Sequence, residues 1–185
     1  GKFKNKKLFF PKNLKTRPLK DNVRENIFNI LIHSSNLDVE IKNSSILDLY
    51  AGTGSFGLEC ISREASKVCF VENEPEALIN LKKNIISLNS EDRTILLSQD
   101  VLKFFQNFNL KLYKKKFNIV FFDPPYKCKK YLEIIKIIKK KEIFNKKHIL
   151  IIHRETDSEK NIGEHINIVE NRIYGRSQVF FGRIF

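Results

Sequence analysis

The stretch Ile46-Leu47-Asp48-Leu49-Tyr50-Ala51-Gly52-Thr53-Gly54-Ser55-Phe56-Gly57 decides the fold. Its first residues are apolar apart from Asp48 and read as a buried strand. Gly52 and Gly54 mark a tight turn, and a helix should start near Phe56. Gly52, Gly54 and Gly57 spell G-x-G-x-x-G. Glu72 ends the next apolar run about 20 residues on, where a ribose-binding acid sits in dinucleotide folds. The loop alone fits a nicotinamide-dependent oxidoreductase. Asp48 argues against that, because a carboxylate at the strand end can accept from a ligand ammonium.

Outward from this unit the chain alternates. Apolar runs predict strands at Ser45–Tyr50, Lys67–Glu72, Thr94–Ser98, Asn118–Asp123 and His148–His153. Helical spacing predicts helices at Phe56–Arg63, Pro75–Leu88, Val101–Phe108 and Lys130–Lys140. Alternating strands and helices imply right-handed βαβ units and a parallel sheet covered on both faces. The end differs: Ile166–Tyr174 and Gln178–Phe185 read as strands joined at Gly175-Arg176-Ser177, an antiparallel hairpin. The expected fold is therefore α/β, a Rossmann-like doubly wound sheet, mostly parallel, with a C-terminal antiparallel hairpin. A first helix should start at Asp21 as N-cap and run through Val23, Ile27, Ile30 and Leu31 to about Ser34. Residues 1–20 read as a basic arm, a strand or hairpin around Leu8-Phe9-Phe10, and residues 21–185 as one domain.

Composition narrows the function. The chain has 185 residues and a formal charge of +13, so a polyanionic partner is expected, nucleic acid first. No run of about 20 apolar residues suggests a membrane span, and the start lacks the apolar core of a signal peptide. The absence of Met suggests that the sequence does not begin at its native start. Cys60, Cys69 and Cys128 lack metal-type spacing and read as reduced thiols in the cytoplasm. His33, His148, His153 and His165 form no helical metal pair, so no metal is expected.

The run Ile119-Val120-Phe121-Phe122 leads into Asp123-Pro124-Pro125-Tyr126. The prolines remove backbone N–H donors and stiffen the turn. The Asp123 carboxylate and the carbonyl between the prolines can both accept from one planar amino group. Tyr126 offers a face on which a base can stack. Lys6, Lys7, Arg17 and Arg24 near the N-terminus, and Lys127, Lys129 and Lys130 just beyond the loop, are candidates to meet RNA phosphates. The runs Lys114–Lys116 and Lys139–Lys141 read as solvated faces.

Asp48-x-x-x-Gly52-x-Gly54, then Glu72, then Asp123-Pro124-Pro125-Tyr126, in that order, resembles the S-adenosylmethionine-dependent amino-methyltransferases. On that reading Tyr50, Ala51, Gly52, Thr53 and Gly54 form the donor loop. Asp48 faces the amino-acid part of the donor, directly or through water, and Glu72 the ribose. Asp100 with the Val101 N–H reads the adenine edge and Asn73 packs beside it, although Asp100 alternatively only caps the following helix. Gly57 is assigned to helix–sheet packing. Thr16-Arg17-Pro18-Leu19-Lys20-Asp21-Asn22-Val23-Arg24-Glu25 further resembles a segment of the bacterial small-subunit (16S) ribosomal RNA guanine-N2 methyltransferases. The likeness runs from about Gly1 to the C-terminal hairpin. It implies an enzyme that methylates one guanine of the assembling small subunit; the protein is expected to be a monomer. Leu19 departs from a usual Thr, and Arg154 follows the fifth strand where an acid is usual, with Glu155 as a substitute. The rival readings are an adenine-N6 methyltransferase acting on DNA or RNA, and a non-catalytic assembly factor that binds ribosomal RNA.

Overall fold

The computed structural model describes residues 1–3, 6–11, 19–108, 116–156 and 161–184. Apolar positions recur at helical spacing from Asp21, and α1 (Asp21–His33) buries Val23, Ile27, Phe28 and Leu31. The glycine turn joins β1 (Ser45–Leu49) to α2 (Ser55–Ser62). The alternation continues through β2 (Lys67–Glu72), α3 (Pro75–Ser87), β3 (Thr94–Ser98), α4 (Val101–Asn107), β4 (Phe117–Phe122), α5 (Tyr131–Lys140) and β5 (Phe144–Glu155). The chain closes with β6 (Asn167–Tyr174) and β7 (Ser177–Arg183). The strands form one 7-stranded sheet in the order β3-β2-β1-β4-β5-β7-β6. β1 to β5 pair in parallel, whereas β7 runs antiparallel to both β5 and β6. This is the expected doubly wound sheet with its antiparallel hairpin. Tyr174 pairs with Ser177, so the connection is the two residues Gly175-Arg176, and Gly175 supplies the positive φ of 59°.

Strand periodicity explains the two cores. On β4, Ile119 and Phe121 point to one face and Val120 and Phe122 to the other. The first face packs on α1, α2 and α3, with Phe28, Phe56 and Phe121 stacked at centroid distances of 5.2 and 4.1 Å. The second packs on α4 and α5 through Phe104, Phe105, Ile134 and Ile138. Gly57 belongs to the first face. A Cβ there would lie 2.3 Å from the Phe70 ring and 2.8 Å from Val68, so the helix can approach the sheet only without a side chain.

Three expectations need correction. Asp21 is not the N-cap of α1: Lys20 holds that position without a side-chain bond, and Asp21 in the first turn pairs with Arg24 at 2.8 Å. Residues 6–11 form neither a strand nor a hairpin. The buried Asn84 side chain replaces strand pairing there, accepting from Phe9 N–H at 2.6 Å and donating to Phe9 O at 3.1 Å. β5 is longer than the apolar run His148–His153. At its start the Asn145 amide donates to Asn118 Oδ1 at 3.0 Å, and at its end Arg154 and Glu155 pair with β7. The expected Pro75–Leu88, Val101–Phe108 and Lys130–Lys140 helices differ from the observed bounds by one residue at one end, and Phe56–Arg63 by one residue at each end.

Candidate active site

β1 and β4 are adjacent, yet the chain leaves β1 towards β2 and β3 and leaves β4 towards β5. α2 and α5 therefore depart to opposite faces and open a crevice beyond the carboxyl ends of the two strands. The register pairs Leu49 with Phe122, so Tyr50 and Asp123 emerge side by side at this switch point. Asp123 N–H still reaches Leu49 O at 3.4 Å.

The loop after β1 turns through three left-handed residues: Tyr50 at φ 59°, Gly52 at 55° and Gly54 at 82°. Tyr50 is not a glycine, and holding it there costs on the order of 1–2 kcal/mol. Gly52 has open space where a Cβ would stand, which lets its backbone approach a ligand closely. The loop is pinned from β2. Glu72, 6% exposed, accepts from Gly52 N–H at 2.7 Å through one oxygen and from Asn73 and Glu74 N–H at 2.8 Å each through the other. Thr53 O accepts from the Asn84 amide at 3.0 Å, and Gly54 N–H closes the turn on Ala51 O at 2.8 Å. Asp48 is only 1% exposed and accepts from Gly57 N–H at 3.0 Å. Burial pushes its carboxyl well above the ordinary range; the Gly57 bond opposes this, and the charges of Asp123 and Glu72 add to it.

A cavity of about 510 Å³ occupies the crevice and is lined by Tyr50, Gly52, Glu72 and Asn73 at the ends of β1 and β2. Asp123, Pro124, Pro125, Tyr126 and His153 line the same cavity. Asp48, Ala51 and Thr53 border an adjoining pocket of about 40 Å³ that also touches Asp123. Asp100 and Val101 line neither space. Asp100 Oδ1 accepts from Leu102 and Lys103 N–H at 2.8 and 3.2 Å, the helix-cap role, and Val101 lies in the core.

The loop after β4 is held by residues that the sequence did not single out for it. His153 Nδ1 lies 2.8 Å from Asp123 Oδ1, and its ring meets the Tyr126 ring edge-on at 6.2 Å. Arg154, inside β5 rather than beyond it, donates to Pro124 O at 3.3 Å, Pro125 O at 3.0 Å and Tyr126 O at 3.1 Å. The Pro124 carbonyl is thus already partnered, contrary to the expectation of a free acceptor, although a carbonyl oxygen has a second lone pair. Glu155 pairs with Arg176. Strand register would have located His153: Phe122 pairs with Ile152, so the next residues, Asp123 and His153, fall side by side. Cys128 sits beside the Tyr50 hydroxyl; burial first, and then this thiol, raise the Tyr50 pKa above the ordinary phenol range.

The basic residues fall into separate groups. Lys6, Lys7 and Arg24 line a second cavity of about 410 Å³ against α2, and Arg24 is paired with Asp21. Lys127, Lys129 and Lys130 are exposed between Tyr126 and α5. Arg17 and Pro18 lie outside the described residues. Among the described residues no group of three or more metal-ligating side chains occurs, and no helix is long and apolar enough to cross a membrane.

Known proteins resemble this chain in sequence and fold. A relative in Buchnera aphidicola subsp. Acyrthosiphon pisum, named ribosomal RNA small subunit methyltransferase D, is 28% identical over 97% of this chain and 88% of its own. The solved protein yhhF of Escherichia coli, provisionally described as a methyltransferase, superposes with a TM-score of 0.82 at 22% identity, covering 100% of this chain and 95% of that one. SMU.776, likewise provisionally described as a methyltransferase and solved in complex with SAH, has a TM-score of 0.68 at 14% identity over 87% of this chain and 49% of its own. At these identities the two structures speak to the fold, which is that of the α/β methyltransferases. The family model described as "Conserved hypothetical protein 95" matches residues 1–183, and the chain belongs to that family.

Proposed function

We propose that this protein transfers a methyl group from S-adenosylmethionine to the exocyclic N2 amine of a guanine in small-subunit (16S) ribosomal RNA during subunit assembly. One observation carries the reading: Tyr50 and Gly52 of the donor loop and the Asp123-Pro124-Pro125-Tyr126 loop line a single cavity of about 510 Å³. That volume lies within the range of small-molecule sites, about 300–1,000 Å³. The name of the Buchnera aphidicola relative supports a ribosomal RNA substrate.

The residues suit the chemistry. The bound donor supplies an electrophilic methyl on a sulfonium. Gly52 gives close backbone approach, Glu72 faces the ribose and Asn73 the base. Asp48, buried behind the loop, meets the amino-acid part through the small adjoining pocket. An aromatic amine is a poor nucleophile because its lone pair is shared with the ring. Asp123 and the second lone pair of the Pro124 carbonyl accept its two N–H bonds and turn the nitrogen lone pair towards the methyl carbon. Tyr126 stacks on the extruded base. Most of the rate then comes from alignment. Lys6, Lys7, Arg17, Arg24, Lys127, Lys129 and Lys130 bind RNA phosphates, and the protein acts as a monomer in the cytoplasm.

Asp123→Ala tests this. The variant should bind S-adenosylmethionine within about threefold of wild type and transfer no methyl to particles. If it transfers methyl normally, the loop is not the amine site. Restored subunit assembly by an inactive Asp123→Ala protein in a deletion strain would favour the non-catalytic assembly factor.

A further inference from the structure

We infer that His153 and Arg154, consecutive residues of β5, are positioning residues that set the Asp123-Pro124-Pro125-Tyr126 loop for the incoming amine. The inference rests on the reading of Asp123 as an acceptor of the amine. Consecutive strand residues point to opposite faces. β5 therefore reaches the loop from both sides of the sheet, with His153 on the carboxylate and Arg154 on the carbonyls.

Two prolines leave the loop without N–H donors at Pro124 and Pro125, and its own backbone adds the turn bond from Cys128 N–H to Pro125 O at 2.8 Å. What remains is a surplus of carbonyls at the tip of a strand. Arg154, 2% exposed, answers it with a planar fork that meets the carbonyls of Pro124, Pro125 and Tyr126 at 3.0 to 3.3 Å. The guanidinium also lies over the Tyr131 ring, 4.6 Å from its centroid, which fixes its plane. A lysine ammonium is a point donor and cannot span carbonyls on successive residues.

His153 fixes the carboxylate. Its side chain is 7% exposed and that of Asp123 20%, so the ring is enclosed while the acid remains open to the cavity. The 2.8 Å contact requires the Nδ1 proton when Asp123 is ionised. In the neutral ring Nε2 is then a buried acceptor, and among the described residues it has no hydrogen-bond partner. An unpartnered buried nitrogen is costly, so the ring is retained for the bond its other nitrogen makes. That bond occupies Oδ1 and leaves Oδ2 as the oxygen that receives the amine.

The test is single-turnover methyl transfer from labelled S-adenosylmethionine to unmethylated small-subunit particles, with donor affinity measured by titration on the same samples. His153→Phe keeps the ring and loses the donor. Its transfer rate should fall about 10- to 100-fold, the loss of one charge-assisted bond, with donor affinity within about threefold. His153→Asn places an amide N–H where Nδ1 stands and should recover most of the rate. His153→Gln places it at the Nε2 position and should not. Arg154→Lys should lose about tenfold in rate despite keeping its charge. If His153→Phe is insoluble, the Asn and Gln variants still decide. Equal rates for them, or a normal rate for His153→Phe, overturn the inference. Asp123→Ala run in parallel separates the two levels. If it is inactive while the His153 and Arg154 variants are normal, only the positioning roles fail; if it is active, the amine site itself is misassigned.

Discussion

Glu72→Gln changes one atom and should be disproportionately damaging. Both carboxylate oxygens are used: one by Asn73 and Glu74 N–H, the other by Gly52 N–H at 2.7 Å. A glutamine has one acceptor oxygen. Whichever way the amide is turned, its NH2 faces a backbone N–H. At best the Gly52 bond is lost and two bonds fall from charged to neutral strength. A charge-assisted bond contributes about 1.5–3 kcal/mol and a neutral one about 1 kcal/mol, so the cost is about 3 kcal/mol after allowing for non-additivity. For a chain of this size each kcal/mol lowers Tm by about 2–4 °C, so a fall of roughly 6–12 °C is expected in thermal unfolding followed by circular dichroism. Donor affinity should fall more than about tenfold in the same preparation, because the Gly52 turn is released. Asp100→Asn is the internal control. Asp100 uses one oxygen for both its bonds, which an asparagine reproduces, so Tm should move by less than about 3 °C. Equal small effects of the two substitutions would refute the two-oxygen staple.

Gly57→Ala forces a methyl to within 2.3 Å of the fully buried Phe70 ring; it should cost about 1–3 kcal/mol, read as a lower denaturant midpoint at constant slope. Asp48→Asn should raise Tm by about 2–4 °C at neutral pH. The folded-state pKa of Asp48 lies above its ordinary value, so the wild type loses stability as pH rises towards and through that raised value; the difference should vanish in acid, below the unfolded carboxyl range. The same variant should weaken donor binding if Asp48 meets the ammonium. Binding to small-subunit particles should depend steeply on salt. If about four of the named cations neutralise phosphates, affinity falls roughly 50-fold between about 50 and 200 mM salt, and a flat response in a filter-binding titration would remove the basic residues from the interface.

The parallel part of the sheet was legible because β1 to β4 are apolar runs of the right length, each followed by a helix. The switch point followed from that order. Asp48, Gly52 and Glu72 were legible as a strand-end acid, a turn glycine and an acid one strand on, and the structure gathers them about the crevice. What sequence could not supply was the partner of each group. His153 and Arg154 lie 30 and 31 positions from Asp123, and only the β4–β5 register brings them to the loop. Arg154 looked like a missing acid because its charge was compared with a pattern, whereas its use is set by the carbonyls that two prolines leave exposed. Asp100 was open between ligand and cap because both roles want the same residue at the same place; its Oδ1 caps the helix through Leu102 and Lys103 N–H. The N-terminal arm was misread because Asn84, a single polar residue on α3, takes over bonds that a strand would have made with its neighbour.

The most direct measurement is to identify the methylated atom. Small-subunit particles from a strain lacking the enzyme would be incubated with the protein and labelled S-adenosylmethionine, and the RNA digested and read by mass spectrometry. A single N2-methylguanosine, absent with Asp123→Ala, is the expected result. A methyl on adenine N6 would move the chain to the rival substrate class, and no transfer to any ribosomal RNA despite measurable donor binding would contradict the assignment of RNA as the substrate.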